Sequence, residues 1–216
     1  MDGAPRPVLF LLDQMVPLGR MLRQNDVYDR PAVWTTLLWH ALPLSFFGFW
    51  LTRFVPIFGG FVYTLVLIPL AITVHVQAAR LSDRRAIAEV ALVYYTVILI
   101  GFGGVWSFVG HFFMADFVAT NIGWETGSPF QTELAFATLG LAIVALSGIW
   151  IRDHLISAIV IAKSIFWYGA AYVHLRDIIV ASNFAPYNVG APLIGDIIYP
   201  TLLLALLWVA RGKANE

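Results

Sequence analysis

The chain lacks cysteine, carries little charge and has no net charge. Its 216 residues contain no Cys, and 13 Lys and Arg balance 13 Asp and Glu, so charged residues make up only 12%. The absence of cysteine excludes disulfides, thiolate nucleophiles and Cys-ligated zinc or iron–sulfur clusters, so any metal must be held by N and O ligands. Without a basic excess there is no electrostatic footprint for nucleic acid, and we expect no nucleic-acid partner.

Apolar sequence is what the chain has in abundance. Hydrophobic residues make up 60% of it, and the mean hydropathy is +0.79. This is more apolar surface than one soluble core of this size covers, so the composition predicts an integral membrane protein with the lipid bilayer as its first partner. The apolar stretch near the N-terminus is interrupted by Asp13 and has no small-residue cleavage site, so no removable signal peptide is expected.

Six segments are long enough to cross a membrane as helices, since about 20 residues span the hydrocarbon core. The predicted spans are Ala32–Thr52, Val55–Ala78, Ile87–Asp116, Thr132–Ile151, Leu155–Leu175 and Ala191–Ala210. Before them, Val8–Arg23 mixes apolar and charged residues and is predicted to be an interfacial amphipathic helix within residues 1–30. The sequence therefore predicts an all-α fold with one membrane domain over residues 1–216, whose transmembrane bundle occupies residues 31–216.

The distribution of cations predicts that both termini are cytoplasmic. Cytoplasmic loops of membrane proteins carry an excess of Lys and Arg. Only Arg53 and Arg176 lie in the predicted outer loops. Ten cations lie on the side shared by both termini, namely Arg6, Arg20, Arg23, Arg30, Arg80, Arg84, Arg85, Arg152, Arg211 and Lys213. An even number of spans agrees with this orientation.

Four ionisable residues fall at one predicted depth, near the outer face. They are His111, Glu133, His174 and Asp196. Asp116 and Asp177 lie beside them and are secondary candidates. An ionisable group near hydrocarbon is costly, so its default interpretation is functional. Because imidazole and carboxylate groups from facing helices form metal sites in helical bundles, these residues predict a transition-metal site with N and O ligands.

Two other interpretations of these residues stay open. Interfacial His, Asp and Glu residues often cap helices or hold loops, and Glu133 in the first turn of its predicted helix is favourable with the helix dipole. A ligand-gating role is the remaining alternative. The sequence indicates the depth of each residue, whereas the direction in which its side chain points cannot be read from it.

Two further charges lie inside predicted spans. Lys163 lies near mid-membrane in the fifth span, and Glu89 lies in the first turn of the third. A buried ammonium needs a carboxylate, a carbonyl or water. Glu89 is the nearest candidate partner by predicted depth.

Several short motifs cover the C-terminal half of the chain. They are Gly110-His111, Asp116, Val118-Ala119, Ile122-Gly123-Trp124, Gly127-Ser128-Pro129-Phe130-Gln131 and Glu133, followed by Asn188, Gly190, Pro192, Asp196 and Pro200. In these motifs the chain resembles a family of small prokaryotic multi-pass membrane proteins defined as a domain of unknown function. The resemblance implies insertion in the prokaryotic inner (plasma) membrane, and it implies no activity or cofactor.

Three classes of function are consistent with these features. The first is an enzyme or redox protein with a metal at the outer-face cluster. The second is a non-catalytic accessory subunit of a larger membrane complex, or a homo-oligomer, in which the polar residues brace the outer loop. The third is a small ion or proton transporter that uses Glu133, Asp196 and Lys163 along a path. The residues specify neither a substrate nor a reaction.

Overall fold

The structure is a computed structural model that describes residues 63–152 and 154–212. Throughout these ranges the regular elements are helices, without β-strands, as the sequence predicts. In chain order they are a π-helical turn (Tyr63–Leu67), α1 (Ile68–Ala78), α2 (Arg84–Tyr95), a π-helical segment (Thr96–Phe102), α3 (Gly103–Phe113), α4 (Ala115–Ile122), α5 (Phe130–Ser147), α6 (His154–Ala181), α7 (Pro186–Val189) and α8 (Ala191–Arg211).

Four helices in the described ranges are long and apolar enough to cross a membrane. They are Arg84–Phe113, Phe130–Ser147, His154–Ala181 and Pro186–Arg211, and they correspond to the predicted third to sixth spans. Of the predicted second span, Val55–Ala78, the described part is the shorter apolar helix Thr64–Ala78. The predicted first span, Ala32–Thr52, and the predicted interfacial helix, Val8–Arg23, lie outside the described residues.

Two predicted spans end earlier than the hydropathy pattern indicates. The third was predicted to reach Asp116, but its helix ends at Phe113 because Met114 leaves the helical region with φ −127 and ψ 32. The fourth was predicted to reach residue 151, but α5 ends at Ser147 and the chain turns at Gly148. A Cβ at Gly148 would lie 2.5 Å from the Cδ1 atom of Ile156, so the missing side chain lets this turn approach α6.

Glycine also determines where α4 ends. Gly123 has a φ of 84, and its N–H and that of Trp124 donate to carbonyls of the last turn, which is a Schellman motif. A Cβ at Gly123 would meet the side chain of Asn183 at 2.5 Å. The Asn183 amide donates to the carbonyl oxygen of Ile122 at 2.8 Å, so it fills the space that glycine leaves and ties α4 to the end of α6.

The long helices of the described region pack against each other in pairs. Helix α8 packs along α6 and α2, while α3 packs along α5. The contact between α3 and α5 is close, since a Cβ at Gly104 would lie 2.8 Å from the Cβ of Ala142. Beyond α2, the α3–α5 pair and the α6–α8 pair enclose a cavity.

The long helix Arg84–Phe113 changes character at its centre. Every residue in 88–98 is buried, whereas Gly104 is the only buried residue of α3. The π-helical segment Thr96–Phe102 lies between these two parts. Each π turn holds an extra residue, which rotates the following side chains by about 100° around the helix axis. The same helix therefore forms the solid core with α2 and one wall of the cavity with α3.

Candidate functional site: an apolar cavity with charged side chains

A cavity of about 730 Å³ lies between α3, α5, α6 and α8. Its wall is mainly apolar and includes the aromatic residues Trp106, Trp124, Phe130, Phe166, Trp167, Tyr187 and Tyr199. Its ionisable residues are His111, Lys163, His174 and Asp196. Pockets that bind small molecules have volumes of roughly 300–1,000 Å³ and combine apolar walls with a few convergent polar groups. The cavity has both properties.

Three of the four residues predicted at the outer face line this cavity. His111 reaches it from α3, His174 from α6 and Asp196 from α8. Glu133, in the first turn of α5, is exposed and is not part of the cavity wall. Among the residues that the structure describes, no group of three or more His, Asp or Glu side chains is arranged to hold a metal ion. The transition-metal site at these four residues stays a prediction.

His174 is held in one orientation by Asn188. The ring Nδ1 lies 2.7 Å from the Asn188 Oδ1, and both side chains are buried. The Asn188 amide nitrogen donates to the backbone carbonyl of Asn183 at 2.8 Å and to that of His174 at 3.4 Å. The amide oxygen therefore accepts, and this network assigns a proton to Nδ1 of His174.

The other ring nitrogen of His174 faces Asp196. Nε2 lies 3.7 Å from the Asp196 Oδ2, which is longer than a hydrogen bond. No hydrogen bond among the described residues involves the Asp196 carboxylate. The carboxylate and Nε2 both retain bonding capacity for a third group in the cavity.

Lys163 is buried in the cavity wall with its ammonium against two aromatic rings. The residue is 4% exposed. Its Nζ lies 4.1 Å from the centre of the Phe166 ring and 4.9 Å from that of Trp167, which follow three and four positions later on the same face of α6. Between residues 63 and 212, leaving out 153, neither an ion pair nor a hydrogen bond joins Nζ to another group. Asp196 is the carboxylate that attracts it across the cavity.

His111 connects α3 to α5. Its Nδ1 lies 2.6 Å from the Oε1 of Gln131, which is 3% exposed. Gln131 precedes Glu133 by two residues. The side chain inside the bundle is therefore the Gln131 amide, and not the Glu133 carboxylate of the predicted metal site. Glutamine was not a predicted site residue.

The two secondary candidates hold the loop between α4 and α5. Asp177 accepts a hydrogen bond from the Trp124 Nε1 at 2.8 Å, and Asp116 accepts one from the backbone N–H of Gly127 at 3.0 Å. The Trp124 ring lies nearly parallel to the His174 ring, with centroids 6.4 Å apart. Both aspartates thus position the loop that closes one end of the cavity.

Glu89 lies at the opposite end of the bundle and does not pair with Lys163. It accepts two hydrogen bonds from the guanidinium of Arg211, at 2.5 and 3.2 Å. The pairing of Glu89 with Lys163 that predicted depth favours is therefore wrong. Helix α8 places Arg211 beside Glu89, whereas Lys163 lies in the cavity wall.

Sequence reasoning missed Asn188, Gln131 and the two rings beside Lys163 as parts of the site. The spacing of Phe166 and Trp167 from Lys163 is a signal that could have been found, because residues three and four positions apart share a helix face. No sequence signal joins Asn188 to His174, since the contact depends on the turn between α6 and α7.

Comparison with known proteins gives one match. The family described as "Family of unknown function (DUF6790)" matches residues 59–216, which include every residue of the cavity wall. The chain matches no curated protein and no solved structure. The match covers more than half of the chain and agrees with the expected membership of an uncharacterised family. The chain belongs to DUF6790, a family of unknown function.

Proposed function

We propose that this protein is an integral membrane protein that binds one lipophilic small molecule in the cavity between α3, α5, α6 and α8. The observation that carries the proposal is the volume of about 730 Å³ with an aromatic wall and four ionisable side chains. An aromatic wall accepts a flat apolar body, and the few polar groups orient a head group. A protein of this kind senses, carries or chemically modifies a molecule that is dissolved in the bilayer.

The proposed topology has six spans with both termini in the cytoplasm of a prokaryote. It is supported by four apolar helices of sufficient length, by the two further predicted spans and by the cations collected on one side. In this orientation the cavity lies in the outer half of the membrane. The Glu89–Arg211 pair then lies in the inner half, close to the cytoplasmic face.

Two glycines provide a matched test of the cavity. Gly169 lines it, and Gly140 faces away on α5; a Cβ added at either position meets no atom within 4 Å. A Cβ at residue 169 has open space around it, so a leucine there adds atoms to the cavity wall, whereas a leucine at residue 140 adds the same atoms outside the cavity. Either change also replaces a helical glycine, so their effects on helix propensity are alike.

The measurement is the binding of 1-naphthol by equilibrium dialysis between nanodiscs that contain the protein and empty nanodiscs of the same lipid. We expect saturation at one equivalent per chain for the native protein. Gly169→Leu should weaken binding at least tenfold, and Gly140→Leu should leave it unchanged. If the native protein takes up no more probe than the empty nanodiscs do, or if both variants bind alike, the cavity is not a ligand site.

A further inference from the structure

We infer that the ligand of the cavity carries an uncharged polar head that accepts a hydrogen bond from Lys163 and donates one to Asp196. This inference rests on the proposed function and adds the chemical class of the ligand. It rests on these two side chains, which line the same cavity from α6 and α8.

The polar head must decide occupancy, because lipid tails are as apolar as the cavity wall. A hydrocarbon body gains little when it moves from the bilayer into a protein cavity. A hydrogen bond from a buried charged group, by contrast, is stronger than one between neutral groups and is rarely available in the lipid core. Selective binding from the bilayer therefore requires a partner for the buried charges.

Lys163 supplies an unsatisfied donor. The residue is only 4% exposed. In the described part of the chain its ammonium lies against the faces of Phe166 and Trp167. Rings attract the cation but accept none of its three hydrogens as a conventional hydrogen bond. An oxygen atom of the ligand completes this environment.

Asp196 supplies an unsatisfied acceptor nearby. The His174 Nε2 lies 3.7 Å from its Oδ2, and Asn188 holds that ring in place through Nδ1. A ligand O–H or N–H can donate to the Asp196 carboxylate, and the His174 Nε2 can then interact with the same head group. Hydroxyl-bearing aromatics and lipid alcohols have this chemistry.

The sum of charges in the cavity wall favours an uncharged head. Lys163 and Asp196 have opposite formal charges, and they attract each other without direct contact. An anionic head would leave a net negative charge in an apolar cavity, and a cationic head would leave a net positive one, each at a large desolvation penalty. A neutral head that bridges the two groups leaves no excess charge.

Three naphthalene derivatives test the inference at pH 7 with the dialysis measurement described above. The probe 1-naphthol accepts and donates, 1-methoxynaphthalene only accepts, and 1-naphthoate is an anion. We expect 1-naphthol to bind about tenfold more tightly than 1-methoxynaphthalene, and 1-naphthoate to bind more weakly than either.

Two variants separate a binding role from a structural one. Lys163→Met should weaken both 1-naphthol and 1-methoxynaphthalene about tenfold, since both use the ammonium. Asp196→Leu should weaken 1-naphthol about tenfold and leave 1-methoxynaphthalene within twofold, since the ether donates no hydrogen bond. A variant that merely disturbed the cavity would weaken both probes together.

The outcomes distinguish the two proposals. If 1-naphthol binds at one equivalent and Gly169→Leu weakens it, but the probes rank equally and both variants bind normally, the head-group inference fails and the proposed function stands. Tightest binding of 1-naphthoate would also overturn the inference, since it would assign a charged ligand. If no probe binds above the level of empty nanodiscs, the proposed function itself fails.

Discussion

The two ends of the bundle differ in how their buried charges are paired. At the Arg211 end, formed by α2 and the last turn of α8, Glu89 is matched by two hydrogen bonds from Arg211. At the cavity end, Lys163 and Asp196 lie in one cavity without touching each other. Glu89 is thus paired with a cation of the same chain, whereas among the described residues neither an ion pair nor a hydrogen bond satisfies Lys163 or joins it to Asp196. The first arrangement stabilises the fold, and the second is suited to binding.

The largest predicted effect comes from breaking the pair at the Arg211 end. Arg211→Met leaves the Glu89 carboxylate, whose side chain is 12% exposed, without its partner. We expect the free energy of unfolding to fall by about 2 kcal/mol, less than for a fully buried ion pair because the Arg211 side chain is 36% exposed. Lys163→Met removes a buried ammonium that has neither an ion pair nor a hydrogen bond among the described residues, so it should lower this free energy much less. Unfolding in SDS, followed by tryptophan fluorescence, measures both.

A double variant serves as the control for this prediction. Glu89→Gln combined with Arg211→Met removes both charges, so it should recover at least half of the stability lost in the single variant. An equal loss of stability in Arg211→Met and Lys163→Met would remove the distinction between the two ends of the bundle.

The second prediction compares two adjacent glycines of α3, one packed against α5 and one with open space around it. A Cβ at Gly104 would lie 2.8 Å from the Ala142 Cβ, whereas a Cβ at Gly103 would have no neighbour closer than 3.8 Å. Gly104→Ala should destabilise the protein by about 1–2 kcal/mol because it forces α3 away from α5. Gly103→Ala should stabilise it by about 0.5–1 kcal/mol through helix propensity. Thermal unfolding by circular dichroism measures the stability of both variants. If Gly104→Ala were the more stable of the two, α3 and α5 would not be in close contact.

The helices of the described region could be predicted from hydropathy, because length and apolar composition decide which segments are long enough to span a bilayer. The ends of the helices were predicted less accurately. Met114 breaks the third predicted span through its own backbone angles, and α5 ends at Ser147, where turns over residues 148–150 follow the helix; mean hydropathy registers neither end. Both Met114 and Gly148 lie inside the spans that hydropathy predicts.

The candidate site was predictable in depth but not in direction. The structure places His174 and Asp196 3.7 Å apart in the cavity wall, whereas Glu133 is exposed and Gln131 contacts His111 in its place. One helical residue shifts a side chain by about 100°, so small differences in helix rotation decide which residue faces the cavity. Lys163 belongs to the site for a related reason. The packing of α6 on α8 determines that its neighbour is Asp196, and counting residues along the chain does not show this.

The smallest predicted effect concerns the loop that closes the cavity end. Trp124→Phe keeps an aromatic ring, although a smaller one, and removes the 2.8 Å hydrogen bond from Nε1 to Asp177. The loss should cost about 1 kcal/mol, mostly confined to the loop, because one hydrogen bond contributes about that much. Hydrogen exchange should therefore quicken in residues 123–129 and remain unchanged in α2. Trp150→Phe is the matched control, since Trp150 is 67% exposed in the turn after α5 at the other end of the bundle. If the two variants exchange alike, Asp177 does not hold this loop, and the cavity end would be closed by packing of α4 alone.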